Sequence, residues 1–437
     1  LSLLMNAAHG DFEHLENRNV DVELLTYRMT FFTVMVEIRW FVTATGTVIT
    51  SAAGSSATNV TASFMPCADQ GSGTPCLGRA SGPYNYTFNN LDPGKMVVID
   101  ATLASVPAGN GSYGSLVVTS SSENIAGAVM EHSGTAAPAT YLKAVAGFSP
   151  AQYAGKYYVP QGKNQYPKAA APGAGLDASQ VDSCNSKWSS VMVQNASGAA
   201  VNVTVTYSVN ENPITPARVG TTFSDSVTGL AAGETAFFMT FQQSSFQIGD
   251  LASATVEATG DVVVMINEEM RWECTNSDLK DLAAWPGIPD SAAKIRLSVP
   301  FYKQEWNGKF QGLVVQNVGT AATTYDVTMT VIGSQVSGVN TGDVYAFSNT
   351  DSVPAGGAKT FVMPCNGVTS NLTPVTGDYT ELCDVVNLNG TNVAVVVEST
   401  GDIVSVVTEE KGWWVPASAV GDGHSEDAGM YVGIPLD

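Results

Sequence analysis

Three stretches of this 437-residue chain repeat one another, which restricts the fold to tandem copies of one unit. Trp188-Ser-Ser-Val-Met-Val-Gln-Asn195 matches Trp306-Asn-Gly-Lys-Phe-Gln-Gly-Leu-Val-Val-Gln-Asn317 after a short insertion. An alternating apolar–polar segment follows each, at 201–207 and at 325–331, and alternation of that kind predicts a strand. A turn and a further strand come next, Leu230-Ala-Ala-Gly233 in one copy and Val353-Pro-Ala-Gly356 in the other. Each copy then carries a Thr-Gly-Asp phrase between apolar runs, at 259–261 and 400–402, followed by Glu268-Glu269 and Glu409-Glu410. The Gly-Asp pair predicts a tight hairpin at both places.

A fainter copy occupies the first third. Ala57-Thr-Asn-Val-Thr-Ala62 resembles Ala200-Val-Asn-Val-Thr-Val205, and Leu91-Asp-Pro-Gly94 precedes an apolar run. The copies close on Gly147-Phe148-Ser149-Pro150, Gly287-Ile288-Pro289 and Gly433-Ile434-Pro435. Short strands separated by turns, in copies of about 110–145 residues, predict an all-β chain of three tandem Ig-like β-sandwiches. The copies are bounded at 34–150, 151–292 and 293–437, behind an extended N-terminal arm, 1–33.

Six cysteines fall two to a copy: Cys67 and Cys76, Cys184 and Cys274, Cys365 and Cys383. Pairing within each copy predicts three disulfides; the alternatives are reduced core cysteines or a metal site. The C-x8-C and C-x17-C spacings fit no zinc pattern and no paired histidine accompanies them. The third copy is 18 residues longer than the second between the Gly356 turn and Thr400, and Cys365 and Cys383 lie there. A disulfide closing a loop of that length is worth about 3 kcal/mol. Bridges at these positions imply an oxidising compartment. Flanking Cys184 and Cys274 are Trp188 and Trp272, matched in the third copy by Trp306 and Trp413-Trp414, so these indoles are expected near one another.

Charged residues make up only 14% of the chain, and 19 Lys+Arg against 40 Asp+Glu leave a formal charge of −21. That field repels nucleic acid and anionic headgroups, so neither is expected as a partner. The surface is polar through hydroxyls, as suits an exposed extracellular protein. The longest apolar run near the start, 29–36, is interrupted by Thr30 and Thr33, far short of the roughly 20 residues a membrane span needs. A first residue of Leu1 is expected of a processed chain.

The arm has no counterpart in the other copies. Val20, Val22 and Leu24 alternate with acidic residues, and Val34, Val36 and Ile38 form a second alternating run. A β-prone extension before a β-sandwich array suggests strand addition to a neighbouring subunit, with main-chain hydrogen bonds for affinity and alternate apolar side chains filling a groove. The same residues read equally as the first strands of the first copy.

Chemistry is sparse. His9, His14, His132 and His424 form no metal or nucleophile pattern, and neither a G-x-S-x-G elbow nor a P-loop is present. No cofactor and no enzymatic activity are expected. Glu131, Glu268-Glu269 and Glu409-Glu410 recur in every copy, which favours a structural role over a glycosidase pair or Ca²⁺ ligands at domain junctions. Trp285, Trp413 and Trp414 would stack on sugars if exposed, though aromatics of that size in sandwiches usually sit in the core. Seven N-x-S/T sequons, at Asn59, Asn85, Asn110, Asn195, Asn202, Asn371 and Asn389, are candidates for glycosylation.

The Val159-Pro160 and Val299-Pro300 openings, the Trp…Val-Gln-Asn strand and the Thr-Gly-Asp phrase resemble tandem β-sandwich repeats of large secreted bacterial surface proteins. The likeness covers about residues 155–437 well and 34–150 faintly. It implies an extracellular structural or adhesive role and carries over no catalytic residue. The arm is similar in kind to the donor-strand extensions of filament subunits, whereas residues 1–25 depart from the long apolar helix that opens a type IV pilin. The expected function is a structural, pilus-like filament or surface-layer subunit that partners with itself. The alternative is a monomeric adhesin or carbohydrate-binding stalk whose partners are glycans on host or neighbouring cell surfaces.

Overall fold

The computed structural model describes residues 28–33, 43–51, 56–66, 83–100, 114–121, 124–133, 141–167, 186–270, 282–304, 306, 309–348, 352–362, 373–374, 390–411 and 429–436. All six cysteines lie outside the described residues, as do Trp272, Trp413 and Trp414, so the expected disulfides and indole pairs do too. So do the arm positions Val20, Val22, Leu24, Val34, Val36 and Ile38.

The described chain is all-β, with several sheets and no α-helix among these residues. A first set of strands comprises β1 (Arg28–Thr33), β2 (Thr43–Ser51), β3 (Thr58–Pro66), β4 (Tyr84–Leu91), β5 (Met96–Asp100), β6 (Gly114–Ser120), β7 (Ile125–Ser133) and β8 (Tyr141–Ala146). A second comprises β9 (Ala154–Asn164), β10 (Tyr166–Pro167), β11 (Ser186–Asn195), β12 (Val201–Glu211), β13 (Thr222–Leu230), β14 (Thr235–Met239), β15 (Asp250–Met270), β16 (Leu282–Pro286) and β17 (Ile288–Pro289). A third comprises β18 (Lys294–Gln304), β19 (Lys309–Asn317), β20 (Tyr325–Ser334), β21 (Val344–Ser348), β22 (Ala358–Val362), β23 (Thr373–Pro374), β24 (Thr391–Lys411), β25 (Gly429–Val432) and β26 (Ile434–Pro435). By internal contacts the chain divides into two compact units, one built on β1–β8 and the other on β9–β26.

One pairing scheme recurs in all three sets. The first set forms two four-stranded sheets, ordered β1-β6-β3-β4 and β5-β2-β7-β8. In the second set β9, β12 and β13 line up around the first half of β15, while β11, β14 and β16 gather at its second half. The third set places β18, β20 and β21 around the first half of β24, and β19, β22 and β25 around its second. Arg28–Thr33, counted above with the arm, is β1; it pairs antiparallel with β6 of its own chain, in the place that β9 and β18 hold.

The Thr-Gly-Asp phrase does not make the expected hairpin. Val256 to Val264 belongs to one continuous 21-residue strand, β15, and its counterpart β24 is equally long. Gly260 lets the strand pass a crowded point, since a Cβ there would stand 2.9 Å from Val201 Cγ1. A glycine inside a strand commonly marks such a bend or close approach. The strand therefore leaves one sheet and enters the other, as strands at the corners of packed sheets do. In the first set β6 and β7 do the same work as two separate strands.

Alternation decides what the sheets enclose. Along β12 the odd positions Val203, Val205, Tyr207 and Val209 are buried, while Asn202, Thr204 and Thr206 face away. Val203, Val205 and Tyr207 pack with Val191, Val193, Phe238, Val264 and Trp285 from the opposing strands in one cluster, as in a β-sandwich. The third set repeats this with Tyr325, Val327, Met329, Val395 and Val407. Val60, Ala62, Val118, Ile125 and Val129 do so in the first.

Within the second unit the third set packs on the second. Val314 and Val406 turn away from their own core and join the cluster built by β9–β16, while Val404 meets Tyr158 and Ile288. Ser253 Oγ donates to Gly356 O at 2.6 Å, Ala358 N donates to Asn210 Oδ1 at 2.8 Å, and Gln316 Nε2 donates to Ala254 O at 3.2 Å.

Three buried phenols make the fold sensitive to alkali. Burial holds Tyr207 and Tyr325 well above the ordinary tyrosine value, and burial followed by the bond Tyr158 Oη donates to Asp290 Oδ1, at 2.5 Å, does so for Tyr158. An unfolded phenol ionises near about 10, so above that pH only the unfolded chain gains the charge and stability falls as pH rises; below it the stabilisation is complete. Ultraviolet titration should show a lagging phenolate fraction that appears together with loss of β-sheet circular dichroism. Full titration of every phenol at the ordinary value in an intact fold would contradict this.

Candidate functional site

The recurring acids gather at one place in the scheme. Glu131 stands opposite Thr45, Glu268 opposite Ser189, and Glu409 opposite Gln311, the same position in each set. The second set shows what such an acid does. Glu268 is buried, and its Oε1 takes Lys163 Nζ from β9 at 2.9 Å and Lys187 Nζ from β11 at 3.6 Å. Oε2 accepts from Gln161 Nε2 at 3.3 Å. Both lysines are buried and bring their ammonium groups to one carboxylate. Around them Ser189 Oγ accepts from Lys163 N at 3.0 Å, and Thr240 Oγ1 donates to Lys163 O at 2.7 Å.

Two ammonium groups on one oxygen and an amide on the other occupy the carboxylate and repel a divalent cation. A general acid or base needs access to substrate, and this group has none. The arrangement is a clamp that ties β9, β11 and β15 together. Lys303 follows Val299 by four residues, as Lys163 follows Val159, and its backbone N–H likewise donates to the residue opposite the acid, Gln311 Oε1, at 2.5 Å. That recurrence of a lysine in an apolar strand is the sign of the clamp that the sequence carries.

A second buried charge lies at the start of β15. Asp250 is fully buried and accepts from Arg218 Nη2 at 2.7 Å, Asn212 Nδ2 at 2.7 Å and Gln247 N at 2.9 Å. Arg218 also lies over Phe223, which packs on Tyr207 and Phe246. Neither Arg218 nor Asp250 has a like-charged counterpart in the third set, so no repeat flagged them: Thr391 stands where Asp250 does.

Trp285 is buried in the cluster of the second set, so it is core and offers no face to a sugar. Among the described residues no group of three His, Cys, Asp or Glu side chains is arranged to hold a metal ion. No helix among them is long and apolar enough to cross a membrane. An open surface groove of about 410 Å³ runs along Thr87–Asp92, Lys95 and Val97 and contains none of the candidate site residues.

The sequons divide by environment. Asn59, Asn85 and Asn202 are exposed, with Oδ1 accepting from Asn90 N, Ser63 Oγ and Gly229 N respectively. Asn195 is buried, and its Nδ2, the atom a glycan would occupy, donates to Ala199 O at 2.7 Å and Leu230 O at 2.8 Å. It is therefore a turn lock and has no room for a sugar. Asn317 makes the same two bonds, to Ala321 O and Val353 O, which explains the Val-Gln-Asn repeat. Asn110, Asn371 and Asn389 lie outside the described residues.

No protein-family model matches the chain, and no curated protein matches it. Among solved structures it is similar to Thermotoga maritima 1070, at 12% identity and a TM-score of 0.22, over 31% of this chain and 95% of that one. The functional reading therefore rests on the chain's own geometry.

Proposed function

We propose that the chain is a structural subunit of an extracellular, pilus-like filament or surface layer, built as three Ig-like sandwiches, the first over 28–150 with β1 included and the others over 151–292 and 293–437. The observation that carries the reading is the threefold recurrence of one strand scheme whose repeated acid is, where its side chain is described, spent on a buried clamp. A chain that repeats a scaffold and commits its buried charges to holding strands suits a mechanical role. In this reading the chain partners with copies of itself and catalyses no reaction. Disulfides within the copies and glycans at exposed sequons such as Asn85 would protect it outside the cell.

The arm supplies strand addition to the next subunit. With Arg28–Thr33 placed as β1, the donor segment is the chain ahead of Arg28, including Val20, Val22 and Leu24. Deleting residues 1–27 tests this by electron microscopy. Loss of filaments or ordered sheets supports the arm; assemblies of normal length and order would sink it.

A further inference from the structure

The contact between the second and third sets has two faces, and each face recurs elsewhere in the chain with large apolar side chains exposed on it. On the covered side lie β17, β9, the first half of β15 and β12. Ile288, Tyr158 and Thr255 form one row across it, and Ser253 and the bulged Asn210 lie beside that row. Ile288 is 4% exposed and Ser253 0%. The third set reproduces the row in register: Ile434 pairs with Ser298, Ser298 with Val396, and the bulge falls at Ile332. Here Ile434 is 51% exposed and Ile332 42%, and Val344, on the neighbouring strand, is 60%. Asn210 and Ser253, which hydrogen-bond across the covered contact, are replaced by Ile332 and Ala394.

The covering side consists of β22, β19 and the second half of β24, with Ala358, Val314, Val404 and Val406 turned outward. Its counterpart in the first set is β5, β2 and β7. By register Met96 and Val98 stand where Ala358 and Thr360 do, and Ala126 and Ala128 where Val404 and Val406 do. Met96 is 49% exposed and Val98 47%. Ile434 stands where Ile288 does and Ala394 where Ser253 does, so the open face of the third set keeps the side-chain sizes of the covered one at these positions, with Ile332 in place of Asn210.

We propose that the exposed face of the third set receives the β5–β2–β7 face of a second copy of this chain, repeating between molecules the contact already made between the second and third sets. The two faces differ, so the contact is heterologous and each bound copy presents a fresh face to the next. This rests on reading the chain as a self-assembling subunit, but it needs no strand exchange.

Ile332→Glu and Val98→Glu each block one face at an exposed site, and circular dichroism verifies that they fold. Sedimentation velocity over a concentration series should show the unmodified chain passing through successive oligomers. Each variant should need at least about tenfold more protein to reach its midpoint. An equimolar mixture should recover two-copy complexes at the unmodified midpoint, because the intact first-set face of one variant meets the intact third-set face of the other. An unmodified chain that stays monomeric overturns the proposal, as do variants with unchanged midpoints or a mixture no better than its parts. A chain beginning at Arg28 separates the two contacts. If it assembles and still responds to Ile332→Glu, the face contact stands without the arm. If it fails to assemble while both face variants behave as the unmodified chain, the arm stands and the face contact falls.

Discussion

Replacing Glu268 with alanine should lower the unfolding free energy of the second unit by about 3–5 kcal/mol. The carboxylate lies between two buried ammonium groups, 2.9 Å from Lys163 and 3.6 Å from Lys187. Without it both buried ammonium groups lose the carboxylate they share while the cost of their desolvation remains. The loss would far exceed that for an ordinary ion pair. Arg296 and Glu398 make a 2.9 Å contact on the surface, both about half exposed, and removing Glu398 should cost about 0.2–1 kcal/mol. Urea unfolding of the two variants side by side measures the difference. Equal, small losses would mean the clamp contributes little.

Val406→Asp should separate what the second unit holds together. Val406 is fully buried, on the face of β24 that joins the cluster of the second set rather than its own. An aspartate there brings an unpaired carboxylate into that cluster and removes the valine contact, about 3–5 kcal/mol together. Because Ser253, Gln316 and Ala358 bond across the same surface, their alignment suffers too. Calorimetry should resolve two transitions for the second unit of the variant where the unmodified chain is expected to give one. A single transition within about 2 °C of the original would show that the two sets do not depend on this surface.

The all-β character was legible because turn phrases and strand alternation survive where other residues drift. The strand that crosses between sheets was not, because Thr-Gly-Asp is as good a turn phrase as a bend phrase and only the partners on either side tell them apart. Register was hidden for a different reason. Residues 201–207 and 325–331 look like one-to-one partners, yet Val203 and Tyr325 are the residues that pair with the matching Ala258 and Ser399. A shift of two keeps every side chain on its own face, so alternation alone does not fix it. The clamp was half legible. Repetition marked Glu268, but its lysines lie about 80 and 105 positions earlier, and no local spacing connects them. Nor did the sequence reveal that Asn195, a sequon by spelling, is a turn lock.

The long strand also fixes an order of events during synthesis. β9 pairs with β15 and β17, β12 with β13 and β15, and β11 with β10, β14 and β15. A nascent chain that ends before Asp250 therefore holds β9, β11 and β12 with nothing to join them. Its two half-sheets must wait as open edges until the strand that belongs to both has emerged, and the third set repeats the delay until β24 is made. Each set therefore closes late in synthesis, because the segment that joins its halves is among the last of its strands to arrive.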